Sequence, residues 1–191
     1  MVKIGILTGS TRDSRVNSQV AEWVKSMADK RGDADYELVD IKDYNLPRFN
    51  EPIPAIMSQD YTTPEAHIWS KKINELDGFI FVTPEYNKAI TSGLKDAIDY
   101  LYLEWNNKAA GIVSYGSTLG VTATNDLRLI LSVPKVAVVG PSVAMSLFTD
   151  FQDMREFSPA SFHEDSLNKV LDDVVAWSTA LKTIRNKVEA R

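Results

Sequence analysis

Residue types suited to chemistry fall in three short stretches of this chain, and each stretch follows an apolar run. The first is GSTRDSRVN, residues 9–17. It carries hydroxyls at Ser10, Thr11 and Ser14 and guanidinium groups at Arg12 and Arg15, and Asn17 is a residue type that caps a following helix. Hydroxyls, backbone N–H groups and two fixed positive charges at a helix N-terminus suit a phosphate monoester dianion. The stretch has neither the GxGxxG spacing of a dinucleotide site nor the GxxxxGKS/T spacing of a P-loop, so a pyrophosphate cradle is not expected. Ser and Gly are also ordinary turn residues and an arginine can simply be solvated, but here charges and cap coincide.

The second stretch is TPEYN, residues 83–87, after the run GFIFV. Pro84 has no N–H to give to a ladder and helps end a strand, Tyr86 offers a flat face, and Asn87 offers both a donor and an acceptor. Backbone N–H groups in such a turn suit the edge of a heteroaromatic ring, and Ser92 and Gly93 lead from it into the next helix. In the plainest reading the Glu85 side chain faces solvent or a partner. The third stretch, SYGSTLG, residues 114–120, combines glycines with the hydroxyls of Ser114, Tyr115 and Ser117, and Gly116 lets the backbone approach a ligand closely. Taken singly, the last two stretches also read as ordinary strand-ending turns.

The elements that must position these stretches alternate regularly. VKIGILTG (residues 2–9) reads as a buried strand, and residues 17–31 place Val20, Trp23, Val24, Met27 and Ala28 on one helical stripe. YELVDI (36–41) returns to strand character. Residues 44–64 hold four prolines and show neither period; a loop of that length reaches over a site or a partner subunit. A helix is expected over Glu65–Leu76, a third strand at GFIFVT, and a helix marked by Leu94, Ala97, Ile98, Leu101, Tyr102 and Trp105. AAGIVSYG is the fourth strand, residues 120–132 a helix, VAVVG (136–140) the fifth strand, and residues 163–188 a last helix with Leu167, Val170, Leu171, Val174, Val175, Leu181 and Ile184 on its apolar side. Such alternation predicts an α/β doubly wound domain, a parallel sheet with helices on both faces. In the five-stranded order 2-1-3-4-5, ligands bind outside the carboxyl ends of strands 1 and 3, where the order reverses, so the three stretches become neighbours.

Composition narrows the function. The 191 residues, 44% hydrophobic and 25% charged, suit a single domain spanning 1–191. A net charge of −5 argues against nucleic acid, which needs concentrated Lys and Arg. Cysteine is missing, which removes disulfides, thiolate nucleophiles and zinc–thiolate sites, and His67 and His163 are too few for a histidine metal site. They read as surface or cap residues. No stretch approaches a membrane span and the N-terminus has no signal-peptide layout, so a soluble, cytoplasmic protein is expected.

A phosphate anchor at one end and a flat, polar-edged ring at the other describe FMN. With GSTRDSRVN after strand 1, TPEYNKAITSGLKDAID after strand 3 and SYGST after strand 4, the chain resembles the NADPH-dependent FMN reductase family of flavodoxin-like fold, whose members include quinone, azo-dye and chromate reductases. The resemblance implies that Ser10, Arg12, Arg15, Val16 and Asn17 hold the FMN phosphate. It implies that Pro84, Glu85, Tyr86 and Asn87 border the ring on one side and Ser114, Tyr115, Gly116 and Ser117 on the other. Many relatives have Ser in place of Arg15 and Pro-Gly in place of Ser92-Gly93. The implied activity is hydride transfer from NADPH or NADH through FMN to small-molecule electron acceptors such as quinones, azo dyes, chromate or free flavin, by a ping-pong scheme. A homodimer or homotetramer is implied too, and Tyr100, Tyr102 and Trp105 with Phe49, Ile53 and Ile56 are its interface candidates. The alternative is a flavodoxin-like electron carrier or redox-sensing binding protein without nicotinamide turnover, although flavodoxins use a Thr/Ser-x-Thr-Gly-x-Thr loop that GSTRDSRVN does not match. A receiver domain would need carboxylates where Thr8-Gly9 and Thr83-Pro84 stand, and a hydrolase on Ser10 or Ser114 would need a GxSxG elbow.

Overall fold

The computed structural model describes residues 1–189. β1 (Lys3–Thr8), α1 (Asn17–Asp29), β2 (Asp35–Val39), α2 (Pro64–Asn74), β3 (Gly78–Pro84), α3 (Ser92–Asp99), β4 (Ala109–Gly116) and α4 (Val121–Ser132) follow in turn. Then come β5 (Ala137–Val138), β6 (Val143–Ser146), a small hairpin of β7 (Phe151–Gln152) and β8 (Glu156–Phe157), and α5 (Phe162–Glu189). The main sheet is parallel, in the order β2-β1-β3-β4-β5, with β6 also on β4. This is the doubly wound sheet expected from the alternation, in the flavodoxin-like order that the resemblance implies.

β3 and β4 are buried along their whole length, because helices cover both faces and leave no side of these strands in water. One face packs Phe79, Phe81 and Leu7 against Trp69, Trp105, Leu94 and Leu127. The other packs Ile4, Ile6, Ile80, Val82 and Val113 against Val20 and Val24 of α1 and Val170, Leu171 and Val174 of α5. Of the expected α5 stripe, Ile184 is exposed, while Lys182 and Arg185 beside it turn to Asp77 at the start of β3.

Three expectations change. The helix expected to reach Trp105 ends at Asp99, and Leu103–Trp105 is a separate 3-10 turn. The carbonyls of Ala97 and Ile98 accept instead from the indole N–H groups of Trp69 (2.7 Å) and Trp105 (3.2 Å), which tie α2 and this turn to the end of α3. The fifth strand is split: β5 pairs with Ala109 and Ala110, and β6 resumes at Val113 through Gly116. Between them Pro141 has no N–H for a ladder, and the Val139 and Gly140 carbonyls accept from the Arg128 guanidinium at 2.7 and 2.9 Å. His163 is neither surface nor cap. It is buried against Asp150, with Nε2 3.0 Å from Oδ1.

The proline-rich stretch 44–64 lies against the α3 side of the sheet. Its Phe49 amide donates to Asp96 (3.1 Å), and buried Tyr61 donates to the carboxylate of buried Glu104 (2.5 Å). With α3 and α4 it forms an apolar groove of about 390 Å³ that includes Phe49, Ile56, Ile98, Tyr102, Ile130 and Val133.

Candidate functional site

The first loop is held from behind by Asn17. This residue opens α1 but does not cap it, since the position before it is Val16 and no side chain bonds the first amides of the helix. The fully buried Asn17 carboxamide instead accepts from the Gly9 amide (2.9 Å) and donates to the Val82 carbonyl (3.0 Å), joining the ends of β1 and β3. Gly9 donates to the same Val82 carbonyl at 2.7 Å, and a Cβ on Gly9 would lie 2.7 Å from that oxygen, so only glycine fits there. Thr91 donates to the Gly9 carbonyl (2.6 Å) while its oxygen caps α3 at Leu94 (3.0 Å). The amides at the start of α1 stay open to an anion, helped by the positive end of the helix dipole.

The two arginines of this loop play different parts. Arg15 pairs with Asp40 at the end of β2, where Asp40 also accepts from Thr8 (2.8 Å) and from the Lys42 amide (3.0 Å). Its Nε is buried and unpartnered. Arg12 is exposed and bears only neutral contacts, the Tyr86 hydroxyl at 3.2 Å and the Ser14 hydroxyl at 3.4 Å. Buried Ser10 lies 3.4 Å from the same Tyr86 hydroxyl.

TPEYN turns through a two-residue hairpin. Tyr86 and Ala89 exchange both backbone hydrogen bonds (3.0 and 3.1 Å), and the residues between them, Asn87 (φ 52°) and Lys88 (φ 69°), sit in the left-handed region. That is a type I′ arrangement, which explains an asparagine at 87 on backbone grounds alone. Glu85 faces neither solvent nor a partner: its side chain is 6% exposed. It accepts from the Thr118 hydroxyl (2.7 Å) and from the amides of Thr122 (3.0 Å) and Ala123 (3.2 Å), and so caps α4 from the neighbouring loop. Burial opposes its ionisation, but these donors and Lys88 outweigh burial and hold the carboxyl below the ordinary glutamate range.

The third loop is packed largely on itself. Ser114 turns inward to the carbonyls of Leu119 (3.1 Å) and Val143 (3.4 Å). Gly120 (φ 70°) lies so near that a Cβ on it would meet the Ser114 Cβ at 2.7 Å. Tyr115 points to the α1 and α5 side, its ring 5.4 Å from Phe151, and burial pushes its phenol well above the usual range.

Between these parts lies a cleft of about 700 Å³, lined by Arg12, Ser14, Arg15, Val16, Gln19, Tyr86, Tyr115, Leu147, Met154 and Arg155. Of the thirteen residues named from the sequence, Arg12, Arg15, Val16, Tyr86 and Tyr115 face it. Ser10 and Asn17 stand behind the first loop, Pro84 is buried in β3, and Glu85 and Ser114 brace the other loops. Asn87 and Ser117 are exposed and Gly116 is buried, outside the cleft lining. Gln19, Leu147, Met154 and Arg155 were not anticipated. The available signal was the long interval between the fifth strand and the last helix, since a loop of that length in a compact domain usually has a task.

The donor set fits FMN. Open helix amides and guanidinium groups at the α1 end suit a phosphate, two tyrosines flank the rest, and no carboxylate or histidine lines the cleft.

Residues 2–150 match the family model of NADPH-dependent FMN reductase. An NAD(P)H-dependent FMN reductase of Schizosaccharomyces pombe is 39% identical over 149 residues, covering 78% of this chain and 74% of its own. The Saccharomyces cerevisiae NAD(P)H-dependent FMN reductase LOT6 is 33% identical over 198 residues, covering 97% of this chain and 100% of its own. In fold, the flavoenzyme NAD(P)H:(acceptor) oxidoreductase FerB of Paracoccus denitrificans superposes with a TM-score of 0.71 at 18% identity, over 94% of this chain and 98% of its own.

Proposed function

The chain belongs to the NADPH-dependent FMN reductase family, an oxidoreductase family with FMN as cofactor and NAD(P)H as donor, and from that premise we propose that the cleft between the first and third strand ends is its flavin site. The carrying observation is that guanidinium groups, open α1 amides and two tyrosines share one cleft without a carboxylate. Ser10, Arg12, Arg15, Val16 and Asn17 serve the phosphate. Tyr86 and Tyr115 form the ring-side walls, and Pro84, Glu85 and Asn87 on one side and Ser114, Gly116 and Ser117 on the other belong to the turns that carry them.

FMN, when bound, supplies the chemistry, taking a hydride from NAD(P)H and passing two electrons to an acceptor. The chain's part is orientation. Asn17 locks the ends of β1 and β3 together, so the phosphate end and the Tyr86 turn keep a fixed spacing. Glu85 locks that turn to the third loop, so the two ring-side walls move as one. A reaction with no demand for a general base agrees with a cleft lined by neither histidine nor carboxylate.

Donor and acceptor then take turns at one face, a ping-pong scheme with quinones as the leading acceptors and azo dyes, chromate or free flavin as further ones. Among the curated relatives is a 2-hydroxy-1,4-benzoquinone reductase of a Burkholderia species, 34% identical over 113 residues. We place the protein in the cytoplasm, where NAD(P)H is supplied, as a single domain; among the described residues no helix is long and apolar enough to cross a membrane. We also propose a homodimer or homotetramer, supported by the apolar groove and by exposed Ile56, Met57, Leu129 and Val133 near it. Sedimentation at micromolar concentration should give a species larger than one chain, and a monomer would overturn this part.

The purified protein should be yellow, lose its visible flavin band when NADPH is added without oxygen, and give parallel lines when initial rates are measured against NADPH at several quinone concentrations. A bound flavin that stays oxidised would overturn the catalytic reading, and intersecting lines the ping-pong scheme.

A further inference from the structure

The outer wall of the cleft is an arm, residues 147–157, most of it beyond residue 150 where the family match ends. At its tip Asp153 (φ 49°) and Met154 (φ 57°) are both left-handed, which turns the chain sharply between β7 and β8 and sends Met154 and Arg155 to the cleft. The arm is fastened on three sides. The Gln19 side chain donates to the Arg155 carbonyl (2.9 Å) and accepts from the Phe157 amide (2.8 Å). Phe151 and Phe157 pack on each other at 5.1 Å, and Phe157 packs on Trp23 at 5.7 Å. At its base the buried Asp150 accepts from the Ser146 amide (2.8 Å) and the Ala160 amide (3.1 Å) beside His163.

Arg155 is thereby presented by a braced element, next to the open first turn of α1. Among the described residues its guanidinium has no hydrogen-bond or ion-pair partner. Arg15, by contrast, is neutralised by Asp40. A phosphate monoester carries about −1.5 to −2 charges at pH 7, more than Arg12 alone can balance. We propose that Arg155 supplies the second guanidinium, forming with Arg12 a clamp on the phosphate monoester of FMN that selects the phosphorylated flavin over riboflavin. The inference rests on the reading of the cleft as the flavin site. The 2′-phosphate of NADPH has the same chemistry, but Arg155 is tied through its carbonyl to Gln19 in the first turn of α1, the end of the cleft that the first loop also lines.

The test titrates the full-length, flavin-free chain with FMN and with riboflavin, following quenching of flavin fluorescence, for the parent, Arg155→Ala and Arg155→Lys. Arg155→Ala should weaken FMN about tenfold or more, leave riboflavin unchanged and flatten the salt dependence of FMN binding; Arg155→Lys should recover part of the loss. The melting temperature without flavin should stay unchanged, because the side chain is exposed and unpaired. Equal FMN affinity in Arg155→Ala overturns the inference, as does an equal loss for FMN and riboflavin. A change confined to the NADPH-to-NADH ratio of kcat/KM assigns the arginine to the nicotinamide donor and overturns it too. If the parent chain takes up no FMN, the flavin reading of the cleft falls and this inference with it.

Discussion

Residue by residue, the site is a set of buried polar groups whose partners come from distant parts of the chain. Asn17 shows the consequence most directly. In Asn17→Asp an oxygen replaces the donor that faces the Val82 carbonyl, so two acceptors meet in a buried place, whereas Asn17→Ala removes both carboxamide bonds but leaves the Gly9 amide bonded to the Val82 carbonyl. Asn17→Ala should cost about 1–3 kcal/mol in denaturant unfolding and Asn17→Asp more. Glu85 carries a pH signature. Its folded-state carboxyl titrates below the ordinary glutamate range, so its contribution is complete above that range and disappears as the pH falls through the lowered value. Glu85→Gln should therefore lower stability at neutral pH by about 1–2 kcal/mol and shrink the difference from the parent in acid. Melting curves of both proteins at neutral and acid pH measure this, and a difference that does not depend on pH would refute it.

The elements around the site are short and over-determined at their turns. The Asn87–Lys88 turn needs two left-handed residues in succession, which costs about 1–2 kcal/mol for an ordinary residue. Asn87→Val should lose about that much stability while Asn87→Gly loses little, as denaturant midpoints would show. The arm is similar, with Asp153 and Met154 left-handed and Asp150 gathering the backbone at its base. Asp150→Ala should free the amides of Ser146 and Ala160, so their hydrogen exchange should quicken well before exchange in β3 and β4; uniform quickening would mean that the carboxylate supports the whole fold and not the arm. The split fifth strand belongs here too, because it lets β6 rejoin β4 and starts the arm beside the third loop.

For the molecule as a whole, the family match ends at residue 150 but the fold does not. Leu167, Val170, Leu171 and Val174 of α5 are fully buried, and Asp77 at the start of β3 pairs with Lys182 and Arg185 near the end of that helix. Four such aliphatic side chains contribute about 6–12 kcal/mol of burial, comparable with the whole stability of a domain. Residues 1–150 alone should therefore show no cooperative thermal transition, while the full chain should melt in one step as a single domain. Two separated transitions in the full chain would contradict this.

Sequence alone determined the alternation of strands and helices, the parallel sheet and the three loops at its carboxyl edge, because apolar periodicity and Gly/Pro punctuation are local signals that each short segment carries by itself. It also brought out Arg12 and Tyr86, whose polar and aromatic character has no packing use at the end of a buried strand. What it could not decide was which of two nearby arginines is neutralised, since Asp40 reaches Arg15 only when β2 lies beside β1. Nor could it turn Glu85 inward onto α4 or set Arg155 at the cleft. Those placements depend on strands and arms that meet across long stretches of chain, and only the folded sheet brings their ends together.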